Sequence, residues 1–248
     1  MRKFYYLLLL LFTALAPASR AQAQFGNLLN KAADKAESVL RGETPLSQEE
    51  VGEALKEALN EGTTEAVSFL SQANGYYASP YKILLPEEAQ TVVSRVSALP
   101  GLGNVEQDLT ERLNRAAELA AAKAAPIFVE AIRGLSFRDA MNLLMGEQDA
   151  ATRYLESTAG LSLAGEFRPV IKASLDEVNA TELWNRAATA YNKVPFTRAV
   201  ETELDAYVTQ RALEGLFALV EVKETELRAN PALRNTELLR RVFARQDR

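Results

Sequence analysis

The sequence predicts an all-α fold, a single-domain multi-helix bundle built around two long central helices. Three observations carry this. Ala and Leu dominate the composition while Ile is rare, which favours helix over strand. Apolar residues recur three and four positions apart over most of the chain, the helical period. Between these periodic stretches Gly, Pro and Asn gather in short clusters that end helices.

The N-terminus has a different layout. Arg2 and Lys3 precede an apolar run from Phe4 to Phe12 that continues to Ala16, and small residues end at Ala21-Gln22-Ala23. This is the order of a secretory signal peptide, with cleavage expected before Gln24. The run is shorter than the about 20 residues a spanning helix needs, and no later stretch is long and apolar enough. No Cys stands at the cleavage point to carry a lipid, so the expectation is release into the periplasm or the medium. Loss of Arg2, Lys3 and Arg20 lowers the net charge from −5 to about −8. The single helical domain is expected over Gln24–Arg248.

The first expected helix spans Phe25 to Leu40, with Phe25, Leu28, Leu29, Ala32, Ala36 and Val39 on one stripe; it stops near Gly42 and Pro45. Ser47-Gln48-Glu49-Glu50 reads as a capping box opening a helix to about Asn60. Gly62 separates that helix from a short one over Thr64 to Gln72. Asn74 to Pro86, with Tyr76, Tyr77 and Tyr81, is the longest irregular stretch. A helix follows over Glu87 to Ala98, then a breaker at Pro100 to Asn104.

The longest expected helix runs from Val105 to Arg133, kinked at Pro126, and buries Leu109, Leu113, Ala116, Ala117, Ala120, Ala124, Ile127, Ala131 and Ile132. Two short helices are predicted next, one opened by Ser136 and ended at Gly146, one from Asp149 to the region of Gly160. Pro169 is placed in the first turn of a further helix, and a helix around Leu183 and Trp184 ends before Pro195. The last long helix, from about Ala199 to Arg228, is apolar on most of its circumference and is expected to pack against the Val105–Arg133 helix. Thr236 caps a short terminal helix bearing Leu238, Leu239, Val242 and Phe243.

The absences are informative. With no His and no Cys there is no Ser-His-Asp triad, Cys nucleophile, disulfide, His-based zinc site or Cys-ligated cluster. Carboxylate acid/base work, a Ser-Lys or Tyr-Lys arrangement or a metal on oxygen ligands remains open. The 28 basic against 33 acidic side chains disfavour nucleic acid as a partner. Gly101-Leu102-Gly103 lacks the third glycine and preceding strand of a dinucleotide loop, so no cofactor is implied.

Several stretches resemble a known family: Gly75-Tyr76-Tyr77, Leu84-Leu85-Pro86, Asn114-Arg115-Ala116-Ala117-Glu118, Gly146 to Thr152, Tyr207 to Phe217, and Asn230-Pro231 through Leu239 to Val242-Phe243. In this order they are similar to the exported bacterial family catalogued as domain of unknown function 4197. The resemblance implies a signal-bearing, all-helical protein and supplies no catalytic residues. The candidate ligand-binding residues are Asn114, Arg115, Glu118, Asp149, Thr152 and Tyr207, which lie within these motifs, and Asp139, which lies outside them.

Asn114 and Glu118 share a helix face with Arg115 beside them; this polar cluster either binds a ligand or fixes neighbouring helices in register. Asp139 and Asp149 stand near helix starts, where capping explains them. If one of them approached Glu118, the pair would suit glycoside hydrolysis or a divalent cation. Ser79-Pro80-Tyr81-Lys82 has the S-x-x-K spacing of penicillin-recognising enzymes without their other motifs. The three loop tyrosines either cover a groove or staple the loop to the core. Arg234, Arg240, Arg241, Arg245 and Arg248 form a basic run that suits headgroups or a solvated helix face.

The leading expectation is a non-enzymatic exported protein that binds a protein partner or an apolar small molecule in a groove near Glu118 and Tyr207. Its rivals are a carboxylate-dependent hydrolase acting on envelope material, with Glu118 as acid, and a structural scaffold.

Overall fold

A computed structural model of the chain describes residues 46–196, 203–245 and 247. The signal layout, the helix expected over Phe25–Leu40 and Arg248 lie outside them. The described residues from Gln48 onward belong to one unit.

Among the described residues there are nine α-helices, one 3₁₀ turn and no strand: α1 Gln48–Leu70, α2 Glu87–Val96, α3 Val105–Ala121, α4 Ala124–Arg133, α5 Phe137–Leu144, α6 Ala150–Glu177, α7 Ala180–Asn192, α8 Leu204–Ala229, the 3₁₀ turn Pro231–Leu233 and α9 Glu237–Phe243. None is long and apolar enough to cross a membrane.

Two long helices lie at the centre. One is α8, as expected; the other is α6, not Val105–Arg133. The long axis of the core is α6 against α8, with α1 and α3 also on α8 and α3 and α4 also on α6. Phe128 of α4 meets Phe217 of α8 edge-on, with ring centroids 5.9 Å apart. Along the apolar circumference of α8, Leu204, Val208, Ala212, Leu216, Phe217, Leu219 and Val220 are buried, and Tyr207 and Leu213 are half-buried.

The sequence cut α6 into pieces because its apolar stripe does not stay on one face. Its buried apolar residues are Ala151, Leu155, Ala159, Leu163, Phe167, Ile171 and Leu175, each four positions from the last. At 3.6 residues per turn such a row rotates by about 240° along the helix. The stripe therefore faces different neighbours in turn. Gly160 and Gly165 do not break the helix, and a Cβ at either would meet nothing within 4 Å. Pro169 lies inside the helix, where it removes one intrahelical bond. Both Gly165, whose carbonyl is left without a donor, and Pro169 are exposed, so that carbonyl is not buried without a partner.

Two further breaks are displaced. Gly62 lies within α1 instead of ending it, on the side that packs against α8, where a Cβ would stand 3.5 Å from Cβ of Lys223, an ordinary contact distance. The Val105–Arg133 helix is interrupted at Ala122-Lys123, and Pro126 falls in the first turn of α4. The break resets the helical phase: Ala124, Phe128 and Ile132 are buried, while Ile127 and Ala131 are only half-buried.

Candidate functional site

Four of the seven sequence candidates hold the tyrosine loop, residues 74–86. Asn114, fully buried on α3, treats Ile83 as a strand neighbour would: its Nδ2 donates to the Ile83 carbonyl at 2.8 Å and its Oδ1 accepts the Ile83 N–H at 2.8 Å. One turn on, Oε1 of Glu118 accepts the N–H groups of Tyr76 and Tyr77, both at 3.3 Å. Oε2 of Glu118 accepts from Arg115 at 2.8 Å, with Glu118 3% exposed and Arg115 41%. From the other side, the Tyr207 hydroxyl of α8 donates to the Leu84 carbonyl at 2.9 Å.

Tyr76 is the staple of this loop. Its ring is fully buried and its hydroxyl donates to the Ala212 carbonyl of α8 at 2.8 Å. Burial, and then the charge of Glu118, push its hydroxyl pKa far above the usual tyrosine value, so it remains a donor. Two glycines make room. A Cβ on Gly75 would stand 2.4 Å from the Phe69 carbonyl oxygen, and one on Gly215 would stand 3.0 Å from Cε1 of Tyr76. Ser79 and Lys82, the S-x-x-K pair, lie in loop turns outside any helix. Ser79 Oγ donates to the Tyr76 carbonyl at 3.0 Å, and Lys82 sits 4.1 Å over the Tyr77 ring.

Asp139, Asp149 and Thr152 lie elsewhere, Asp139 in the first turn of α5 and the other two at the α5–α6 junction. Asp139 closes a capping box with Ser136 at the start of α5. Asp149 occupies the N-cap position of α6 but makes no side-chain cap bond; its carboxylate pairs with Arg153. Glu224 of α8 does the capping instead. It accepts the Ala151 N–H at 3.0 Å, the Thr152 N–H at 2.7 Å and the Thr152 hydroxyl at 2.8 Å.

Arg228, one turn further along α8, donates to Glu224 at 2.7 and 3.0 Å. It also donates to the carbonyls of Leu143 and Leu144, at 2.9 and 3.2 Å, at the end of α5. One buried pair thus satisfies the C-terminal end of one helix and the N-terminal end of the next. Sequence reasoning passed over both residues, although an acid and a base four apart on an apolar helix were a visible signal. Of the basic run, Arg234 is buried and bidentate to Asp247, and Arg241 pairs with Glu50 at 3.0 Å.

Beside this pair is a cavity of about 330 Å³ between α1, α8 and the C-terminal segment. Leu55, Leu59, Val220, Leu227, Leu233 and Phe243 form its apolar wall, and Ala151 and the Glu224–Arg228 pair also line it. Lys223 stands at its rim, its Nζ 3.3 Å from Glu65 and 3.3 Å from Glu226, while Asn235 donates to Glu61 at 2.6 Å. Leu233 is 44% exposed, an apolar side chain left facing solvent at the same rim. A more open groove of about 770 Å³ runs between the tyrosine loop and α8; Tyr207, Arg211 and Glu214 line it, and Glu118 does not. Among the described residues no group of three or more acidic side chains is placed to hold a metal ion.

A family model described as Protein of unknown function (DUF4197) matches residues 45–244. The chain belongs to this family. No curated protein and no solved structure matches it. The stretches that carry the DUF4197 resemblance fold onto two places. Gly75–Tyr77, Leu84–Pro86, Asn114–Glu118 and Tyr207–Gly215 meet at the tyrosine loop. Thr152 meets Glu224 at the α5–α6 junction, and Leu233 and Phe243 reach the adjoining cavity.

Proposed function

We propose that this DUF4197 protein is an exported, non-catalytic helical protein that binds an apolar or amphipathic small molecule in the cavity between α1, α8 and the C-terminal segment. The cavity carries the reading: a volume of about 330 Å³, a mostly apolar wall and a few polar groups gathered at the rim are what a small-molecule pocket requires. It is more enclosed than the groove beside Tyr207, and the buried Glu224–Arg228 pair fixes the helix ends around it. Asn114, Arg115, Glu118 and Tyr207 then serve to position the tyrosine loop. Export is supported by the layout of Met1 to Ala23 and predicts a mature N-terminus at Gln24 in the periplasmic fraction.

The hydrolase reading has less support. Both Glu118 oxygens are engaged, one by two backbone amides and one by Arg115, on a side chain closed to solvent.

The test is mass spectrometry of the organic extract of protein spanning Gln24 to Arg248, purified from the periplasm without detergent, beside Ala58→Phe, which fills the cavity from α1. About one extracted molecule per wild-type chain, lost in the variant, is the expected result. An extract matching an unrelated exported control, with no saturable uptake of an apolar dye, overturns the proposal.

A further inference from the structure

We infer that the cavity selects a cationic amphiphile, with an amine or quaternary ammonium head at the rim and the hydrocarbon body inside; this rests on the reading of the cavity as a ligand site. The charges lining it are unequal. Glu61, Glu65, Glu224 and Glu226 stand against Lys223 and Arg228.

The Glu224–Arg228 pair is closed. It is 2.7 Å apart, its side chains are 8% and 4% exposed, and Glu224 is further occupied by the amides of α6. Among the described residues three carboxylates remain at the rim for one ammonium. Lys223 is shared between Glu65 and Glu226, which are 53% and 49% exposed and keep acceptor positions turned to solvent. Among the described residues Glu61 takes only the Asn235 amide, a neutral donor.

An amphiphile whose tail lies against Leu59, Val220 and Phe243 brings its head to this rim. A carboxylate or phosphate head meets excess negative charge there and finds Lys223 already engaged on both sides. An ammonium head meets Glu61 and the solvent-facing oxygens of Glu65 and Glu226. The rim therefore discriminates by sign of charge, and the wall by apolar area.

The experiment is isothermal titration of the chain from Gln24 with three probes of one chain length: decylamine, 1-decanol and decanoate. Decylamine binds about tenfold tighter than decanoate, with decanol between them, and the gap narrows in Glu61→Gln/Glu226→Gln and at raised salt. Ala58→Phe abolishes binding of all three. Equal affinities, or tighter binding of decanoate, overturn the charge assignment and leave the cavity as an apolar site. If none of the probes binds, the ligand-site reading falls with it.

Discussion

Glu224 and Arg228, one turn apart on α8, are buried together and between them hold the end of α5 and the start of α6. Neither charge is tolerable there without the other. Arg228→Met leaves the Glu224 carboxylate buried with no cation and frees two α5 carbonyls, a loss of about 3–5 kcal/mol. The double variant Glu224→Gln/Arg228→Met recovers part of that loss because the uncompensated charge is gone. Urea unfolding of the single and double variants measures both. A single variant within about 1 kcal/mol of wild type shows that the pair does not hold the junction.

Asn114 replaces a missing strand neighbour for the loop. Asn114→Leu keeps the volume but leaves the Ile83 N–H and carbonyl buried without partners, at a cost of about 2–4 kcal/mol. Hydrogen exchange locates the effect: the Ile83 amide loses protection while the α6 and α8 amides keep theirs. Uniform loss across the chain would instead make Asn114 part of the global core.

Two glycines on long helices respond oppositely to the same substitution. Gly160 faces open space in the interior of α6, so Gly160→Ala raises stability by about 0.5–1 kcal/mol. Gly215 lies under Tyr76, and Gly215→Ala forces the ring or the helix to move, costing about 1–3 kcal/mol. In a Tyr76→Leu background that penalty shrinks. Thermal melts of the four variants check the signs, and a stabilising Gly215→Ala would contradict the packing described.

The helical class and most elements were legible in the sequence because local periodicity sets them: the last long helix to Arg228, the helix opened by Ser136 and the Thr236 cap follow from spacing alone. The failures share a cause. Gly62, Gly160 and Pro169 break helices by local propensity, yet α1 runs through Gly62 where it packs along α8, and the rotating stripe of α6 spans the other two. The continuity of α6 is fixed by what surrounds it, which no window of its own sequence contains. The candidate residues follow the same rule. Asn114, Glu118 and Tyr207 announced themselves as polar groups on apolar helices, but their partners lie 31 to 123 residues away. Asp149 is at the N-cap position that sequence assigns it, and the cap is made by Glu224, whose bonds to Thr152 span 72 residues.

The C-terminal segment is held by a charge that acid removes. Arg234, 1% exposed, donates to both oxygens of Asp247 at 2.6 and 2.9 Å and to the carbonyls of Leu227 and Arg228 at the end of α8, with its guanidinium 5.8 Å from the Phe243 ring. The hydrogen bonds from Arg234, and then its charge, hold the Asp247 carboxyl below the usual aspartate range. A group with a lowered folded pKa contributes stability above its unfolded value, near 4, and loses it as pH falls through the lowered one. The α9 amides are therefore protected from hydrogen exchange at pH 7 and lose protection, relative to α6 and α8, as the pH falls below about 4. Asp247→Asn removes the dependence: its α9 amides exchange faster at pH 7 and change little on acidification. If α9 in the variant responds to acid as steeply as in wild type, a carboxyl other than Asp247 anchors it, and Glu50, which pairs with Arg241 of α9 from α1, is the next to substitute.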